Sequence, residues 1–175
     1  FKQGISSDSP TLHMTFEGNP GTGKTTVARI IGDILKVNGL LSVGSFKEVS
    51  RSELVGEYVG HTAIKVKELM EECKGGILFI DEAYSLVQGK DDTFGKEAVD
   101  TLIAEMENNR DDLVVILAGY TKEIEKLLKS NPGFSSRIAN RFEFPDYDID
   151  ELKQLMDLRM SQSNFILIED AKEKL

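Results

Sequence analysis

The sequence predicts an α/β fold, a parallel sheet covered by helices on both faces. Strand-like and helix-like segments alternate along most of the chain, the pattern of a parallel sheet whose crossovers are helical. Two of the strand-like segments, Ile77–Ile80 and residues 113–118, are apolar at every position, as in strands buried on both faces.

The elements follow in order. Residues 12–16 form a short apolar run ahead of a glycine-rich turn. Val27, Ile30, Ile31, Ile34 and Leu35 then fall on one helical face, and Asn38-Gly39 stops that helix. Phe46–Val49 reads as a second strand. Val66, Leu69, Met70 and Cys73 make the next helical stripe, ended by Gly75-Gly76. After the strand Ile77–Ile80, Val99, Leu102, Ile103 and Met106 mark a third helix. Ile124, Leu127 and Leu128 mark the helix after strand 113–118, and residues 142–144 suit a last short strand. Past Pro145, Asp148 and Glu151 form an acidic helix start, with Leu152, Leu155 and Met156 on one face. The expected organisation is an α/β core over 1–145 and the beginning of a helical unit over 146–175. Phe1 and the helix-like 169–175 both suggest a piece cut from a longer protein.

The chain has 175 residues, 40% of them hydrophobic and 29% charged, which suits a globular domain with a real core. Net charge is −9 and Lys and Arg are dispersed, so no basic tract is available for nucleic acid or an anionic membrane. No apolar run is long enough to span a bilayer. The single cysteine, Cys73, has no internal partner and sits on an apolar stripe, so it reads as core in a reducing compartment. The expected setting is cytoplasmic, with neither nucleic acid nor membrane as partner. His13 and His61 lack metal-ligand spacing.

Gly18-Asn19-Pro20-Gly21-Thr22-Gly23-Lys24-Thr25 matches G-x-x-x-x-G-K-[ST] at each fixed position. Glycines let such a backbone curl until its N–H groups face phosphate oxygens, and the helix that follows adds its positive end. The expected nucleotide-binding residues are Asn19, Pro20, Gly21, Thr22, Gly23, Lys24, Thr25 and Thr26. Lys24 supplies charge to the outer phosphates, and the Thr25 hydroxyl is a ligand for Mg²⁺. The strand Ile77–Ile80 ends in Asp81-Glu82, two carboxylates at the edge of the sheet where α/β proteins hold ligands. Asp81 is the second expected Mg²⁺ ligand, and Glu82 the general base that polarises the attacking water. The cofactors are therefore ATP and Mg²⁺.

The loop GNPGTGKTT, the strand ILFIDEAYSL and the segment SNPGFSSRIANRFEFPDY resemble AAA+ ATPases, P-loop proteins, over roughly residues 12–160. Within that family the resemblance is to the bacterial group of CbbX-type Rubisco activases and stage V sporulation protein K. It implies a five-stranded parallel sheet of order 5-1-4-3-2, a helical lid, and hexameric rings with ATP at the subunit boundaries. Arg137 matches the arginine finger, acting in trans on the neighbour's nucleotide, and Arg141 is a second candidate. The polar sensor between the two motifs falls at Tyr120 or Thr121, unless Thr121 caps the next helix. Residues 57–61 (EYVGH) fall where the family has its pore loop, so Tyr58 would touch a protein client. The segment that packs on adenine would be absent or reduced to residues 1–10, and the sensor 2 arginine lies past the chain's end. The resemblance implies an ATP-driven remodeller of a protein partner; an ATP-dependent assembly switch is the alternative, and a clamp-loader-like action on nucleic acid a third.

Overall fold

A computed structural model describes residues 11–163, apart from Val59 and Lys90. It forms a five-stranded sheet of order β2-β3-β4-β1-β5, with every neighbouring pair parallel. The strands are β1 (Met14–Gly18), β2 (Phe46–Val49), β3 (Ile77–Ile80), β4 (Val114–Gly119) and β5 (Asn140–Phe144). Read from the other edge this is the order 5-1-4-3-2. The first strand begins two residues later than the apolar run suggested, because Leu12 stands ahead of the pairing that starts at Met14↔Ile116.

The apolar strands divide their side chains between two cores, as period-two alternation requires. Ile77, Phe79, Val114, Ile116 and Ala118 join Met14 and Phe16 beneath helix α1 (Lys24–Val37). Leu78, Ile80, Val115 and Leu117 face the other way. There they meet α3 (His61–Glu72), α4 (Thr93–Asn108) and α5 (Thr121–Ser130). Val66, Leu69, Met70, Val99, Leu102, Met106, Ile124, Leu127 and Leu128 are buried as their stripes suggested. Cys73 is buried too, and burial pushes its thiol up to about 11.

The face of α1 needs correction. Val27, Ile30 and Ile34 are exposed, the latter two at 51% and 52%, while Ala28, Gly32, Ile31 and Leu35 make the contact. A Cβ on Gly32 would stand 3.3 Å from Ile77 Cδ1, so the helix lies close on β3 through its small residues. Its rotation is set by the loop that starts it: Lys24 is turned inward, which fixes every later position.

Three short elements have no counterpart in the sequence pattern: α2 (Arg51–Leu54), a 3-10 turn (Ala83–Leu86) and α6 (Pro132–Arg137). Each is under two α-helical turns, too short for a helical period to register. α2 is started by a reciprocal cap between Ser50 and Glu53, which holds the Glu53 carboxyl down at about 2.

By chain contacts the protein divides into two units, Phe1–Phe144 and Pro145–Leu175. The second contains α7 (Ile149–Ser163), opened by the same device. Asp148 accepts from the Glu151 N–H at 2.8 Å and Glu151 accepts from the Asp148 N–H at 3.0 Å. The expected polar start at 1–10 and helix at 169–175 lie outside the described residues.

Candidate functional site

All five strands run the same way, so β1, β3 and β4 deliver their carboxyl ends to one edge. There β1 passes into the glycine loop. Gly18 has φ 154, and a Cβ on it would stand 2.2 Å from the Phe144 carbonyl oxygen, so only glycine fits beside β5. Gly21 and Gly23 have φ 81 and 90, which turns the loop back on itself ahead of α1. Lys24 is 9% exposed; its ammonium donates to the carbonyls of Gly18 (2.9 Å) and Asn19 (2.6 Å) inside that curl. Thr22 braces the same turn by donating to Asn19 O at 2.9 Å. Thr25 and Thr26 follow Lys24 in the first turn of α1. Asn19 and Pro20 lie on the exposed rim.

Asp81 and Glu82 leave β3 at that edge, one strand away across β4. The Asp81 N–H donates to Val49 O at 2.9 Å, continuing the ladder to β2, and Asp81 Oδ1 accepts from the Glu82 N–H at 3.0 Å. Glu82 has φ 47, the one positive value outside glycine among the described residues. Backbone held in that region gathers at functional sites, where neighbours over-determine it. Thr25 and Asp81 offer hard oxygen donors, suited to Mg²⁺ sharing its shell with phosphate and water. Among the described residues no group of three or more His, Cys, Asp or Glu could hold a metal ion unaided.

Residues 14–146 match the family described as "ATPase family associated with various cellular activities (AAA)". The chain belongs to that family. Among curated proteins it is 51% identical to Protein CbxX, chromosomal, of Cupriavidus necator over 93% of this chain and 52% of that one. It is 48% identical to Protein CbbX of Cereibacter sphaeroides, over 99% of this chain and 57% of that one. It is 46% identical to Stage V sporulation protein K of Bacillus subtilis, over 99% and 54%. The chain thus spans about half the length of the curated relatives it matches. A solved structure titled as the FIGL-1 AAA domain in complex with ADP shares the fold, with a TM-score of 0.65. It is 21% identical and covers 88% of this chain and 50% of that one.

In this AAA domain the arginines divide by position. Arg141, on β5, binds Glu17 bidentately at 2.7 and 2.8 Å, and Thr15 donates to the same carboxylate at 2.7 Å. Burial works to raise the Glu17 pKa, but the hydrogen bonds from Arg141 and Thr15 outweigh it and leave it lowered. The second finger candidate is thus a brace directly ahead of the loop. Arg137 closes α6, at the opposite end of the sheet. Its carbonyl accepts from Thr11, just upstream of β1, at 2.9 Å. Its Nε lies 3.2 Å from Glu107 Oε2, near enough for charge but not aligned as a hydrogen bond. At ~3.3 Å per residue along β1, roughly 20 Å separates Arg137 from the loop of its own chain.

Tyr120 is the N-cap of α5, without a side-chain cap bond, and Thr121 is the first helical residue, so Thr121 does not cap. Tyr58 is 65% exposed in the turn before α3, with its ring 5.5 Å from that of His61, edge to face. The two line a cleft of about 370 Å³ with Glu57, Ile64, Lys65 and Glu68. Val59 lies outside the described residues. His13 is fully buried and bonded to backbone on both ring nitrogens, at Met106 O and Val115 N. No helix among the described residues is long and apolar enough to cross a membrane.

Two site residues escaped sequence reasoning. Arg51 donates to the carbonyls of Ser85 and Leu86 and pairs with Asp92, which also caps α4. These bonds hold the Asp92 carboxyl at about 2 and tie α2 to the segment behind Glu82. Tyr84 lies in the 3-10 turn directly after Glu82, its ring 6.0 Å from that of Tyr120. Burial first, then the Glu82 charge, raises its pKa. The one sequence signal was an aromatic residue directly behind the acidic pair.

Proposed function

We propose that this domain binds and hydrolyses Mg-ATP and that the full-length protein uses the energy, as a ring oligomer, to remodel a protein partner. The observation that carries the reading is the split of catalytic groups across the sheet. Lys24, Thr25, Asp81 and Glu82 stand at its carboxyl edge, while Arg137 stands at the far end. Arg137 is out of reach of its own nucleotide, so its charge serves a neighbour's.

In this reading the backbone N–H groups of 19–25 and the Lys24 ammonium hold the phosphates; Lys24 trades its bonds to the loop carbonyls for phosphate oxygens. Mg²⁺, when bound between Thr25 and Asp81, supplies charge to the outer phosphates and orients them. Glu82 accepts a proton from water as the water oxygen attacks the γ-phosphorus. The bond to the bridging oxygen breaks, leaving ADP and phosphate. Arg137 of the adjoining subunit offsets the charge that builds on the transferring group. Tyr120 or Thr121, after β4, senses the outer phosphate, and Tyr58 offers its exposed ring to a client. The core spans 1–145, and 146–175 begins a lid. The protein works as a hexamer in the cytoplasm.

The test mixes two variants of the full-length protein. Arg137→Ala and Glu82→Gln are each expected to be inactive, since a finger contributes roughly 10³–10⁵ in rate and the base is indispensable. Mixed rings should regain turnover, because some boundaries then hold both intact groups. Mixed rings that form and stay inactive would defeat the trans assignment.

A further inference from the structure

The left-handed backbone of Glu82, at φ 47, is strained for a residue with a side chain and lasts only where its surroundings over-determine it. It also sets the direction in which the carboxylate leaves the end of β3. Two local bonds support it. Asp81 Oδ1 accepts from the Glu82 N–H at 3.0 Å, and the Glu82 carbonyl accepts from the Ser85 N–H at 2.7 Å, closing the 3-10 turn Ala83–Leu86. A single turn of this kind is a weak hold without partners elsewhere in the fold.

Those partners come from one short segment, residues 49–51. At its start the Val49 carbonyl accepts from the Asp81 N–H at 2.9 Å. At its end Arg51, the first residue of α2, reaches the far end of the turn. Its Nη1 donates to Ser85 O at 3.0 Å and to Leu86 O, and lies 2.8 Å from Asp92 Oδ2; its Nη2 donates to Asp92 Oδ1 at 3.1 Å. Asp92 is pinned in turn, Oδ1 accepting from the Gly95 N–H at 2.8 Å and Oδ2 from the Gln88 N–H at 2.7 Å. A Cβ on Gly95 would stand 2.1 Å from Leu86 O, so α4 also closes on that carbonyl. The acidic pair and its turn are thus gripped at both ends by 49–51 and backed by α4.

We infer that Arg51 is a positioning residue for ATP hydrolysis: by holding the Ser85 and Leu86 carbonyls it keeps Glu82 in its left-handed conformation and so aims the carboxylate at the attacking water. This rests on the reading of Glu82 as the base. A guanidinium suits the task, because its planar fork of donors spans two carbonyls and a carboxylate at once, where a lysine ammonium is a single point. Its charge is matched by Asp92 and not aimed at the nucleotide. Arg51 bonds the turn and α4 and nothing in the glycine loop, so it acts on the chemical step and not on ATP binding.

The experiment is ATP hydrolysis by the full-length protein, with ATP affinity and thermal melting measured alongside. Arg51→Lys keeps the charge beside Asp92 and loses the fork; kcat should fall about ten- to a hundredfold, the cost of a base displaced by up to ~1 Å, with ATP affinity unchanged. Gly95→Ala pushes on Leu86 O from α4 with Arg51 intact and should reproduce that fall. In a Glu82→Gln background the base is already gone, so whatever hydrolysis remains, followed in single turnovers, should be no slower when Arg51→Lys is added. A general structural defect would slow both backgrounds alike, and that result overturns the proposal. So does normal kcat in Arg51→Lys, or in Gly95→Ala where Arg51→Lys fails to fold, and so does a loss of affinity that accounts for the loss of rate. Glu82→Gln alone separates the two readings. If that variant turns over normally the base assignment has failed, whereas if it is inactive and Arg51→Lys is normal, only the positioning role has.

Discussion

Lowering the pH from 7 to 5 is expected to destabilise this domain through one side chain, His13. The ring is fully buried, with Nδ1 accepting from the Val115 N–H at 3.0 Å and Nε2 donating to Met106 O at 3.0 Å. Both nitrogens are used by the neutral ring, and a second proton would face an N–H. Burial lowers its pKa below 6.5, against the raising effects of the Met106 carbonyl and Glu107 and with a lowering contribution from Arg137. The unfolded chain takes up a proton near 6.5 and the folded chain resists it. Stability is therefore complete above that pH and falls as pH drops through it, until the folded pKa is reached. The slope is at most about 1.4 kcal/mol per pH unit, which amounts to no more than about 2 kcal/mol between pH 7 and 5. Glu17 and Asp92, both depressed, withdraw their contributions only below their ordinary values of 4.5 and 3.8, outside the window. The assay is urea unfolding at pH 7, 6 and 5. His13→Gln, whose amide keeps a donor and an acceptor, should lose about 1–2 kcal/mol at pH 7 and flatten the slope. A wild type equally stable at both ends, or a variant that keeps the slope, refutes the assignment.

Other expected outcomes address the site itself. Lys24→Ala should abolish ATP binding in nucleotide titration, since the phosphates lose their one fixed cation in the loop; Glu82→Gln should bind normally and release no phosphate. Gly18→Ala should weaken both folding and nucleotide binding, because a Cβ 2.2 Å from Phe144 O forces β5 or the loop aside; melting should drop by an amount equivalent to about 1–3 kcal/mol. Tyr58→Ala should leave basal hydrolysis and Tm unchanged, the ring being 65% exposed, while removing stimulation by a client; Tyr58→Phe should behave as wild type. Unchanged stimulation in Tyr58→Ala would favour an assembly switch over pulling.

Much of this was legible in the chain itself. The glycine loop, the carboxylate pair at the end of an apolar strand, and the buried stripes of α3, α4 and α5 are local patterns, each fixed by residues within a turn or two of one another. Strands apolar on both faces, alternating with helices, determined a covered parallel sheet. Such a sheet sends the ends of β1 and β3 to one edge, and so unites Lys24 with Asp81 and Glu82. The tertiary structure decided what depends on phase and on distant partners. The inward turn of Lys24 rotated α1 onto Ala28 and Gly32 and left Ile30 and Ile34 outside, although their hydrophobicity suggested the reverse. The register of β5 on β1 brought Arg141 to Glu17, across 124 residues of sequence, and made it a brace. The path of α5 and α6 carried Arg137 to the far end of the sheet, away from the glycine loop. The close of β4 at Gly119 opened the space that Tyr84 fills beside Glu82. None of these has a sequence period, because each is a contact between segments whose spacing along the chain is arbitrary and whose meeting is fixed only by strand register and helix rotation.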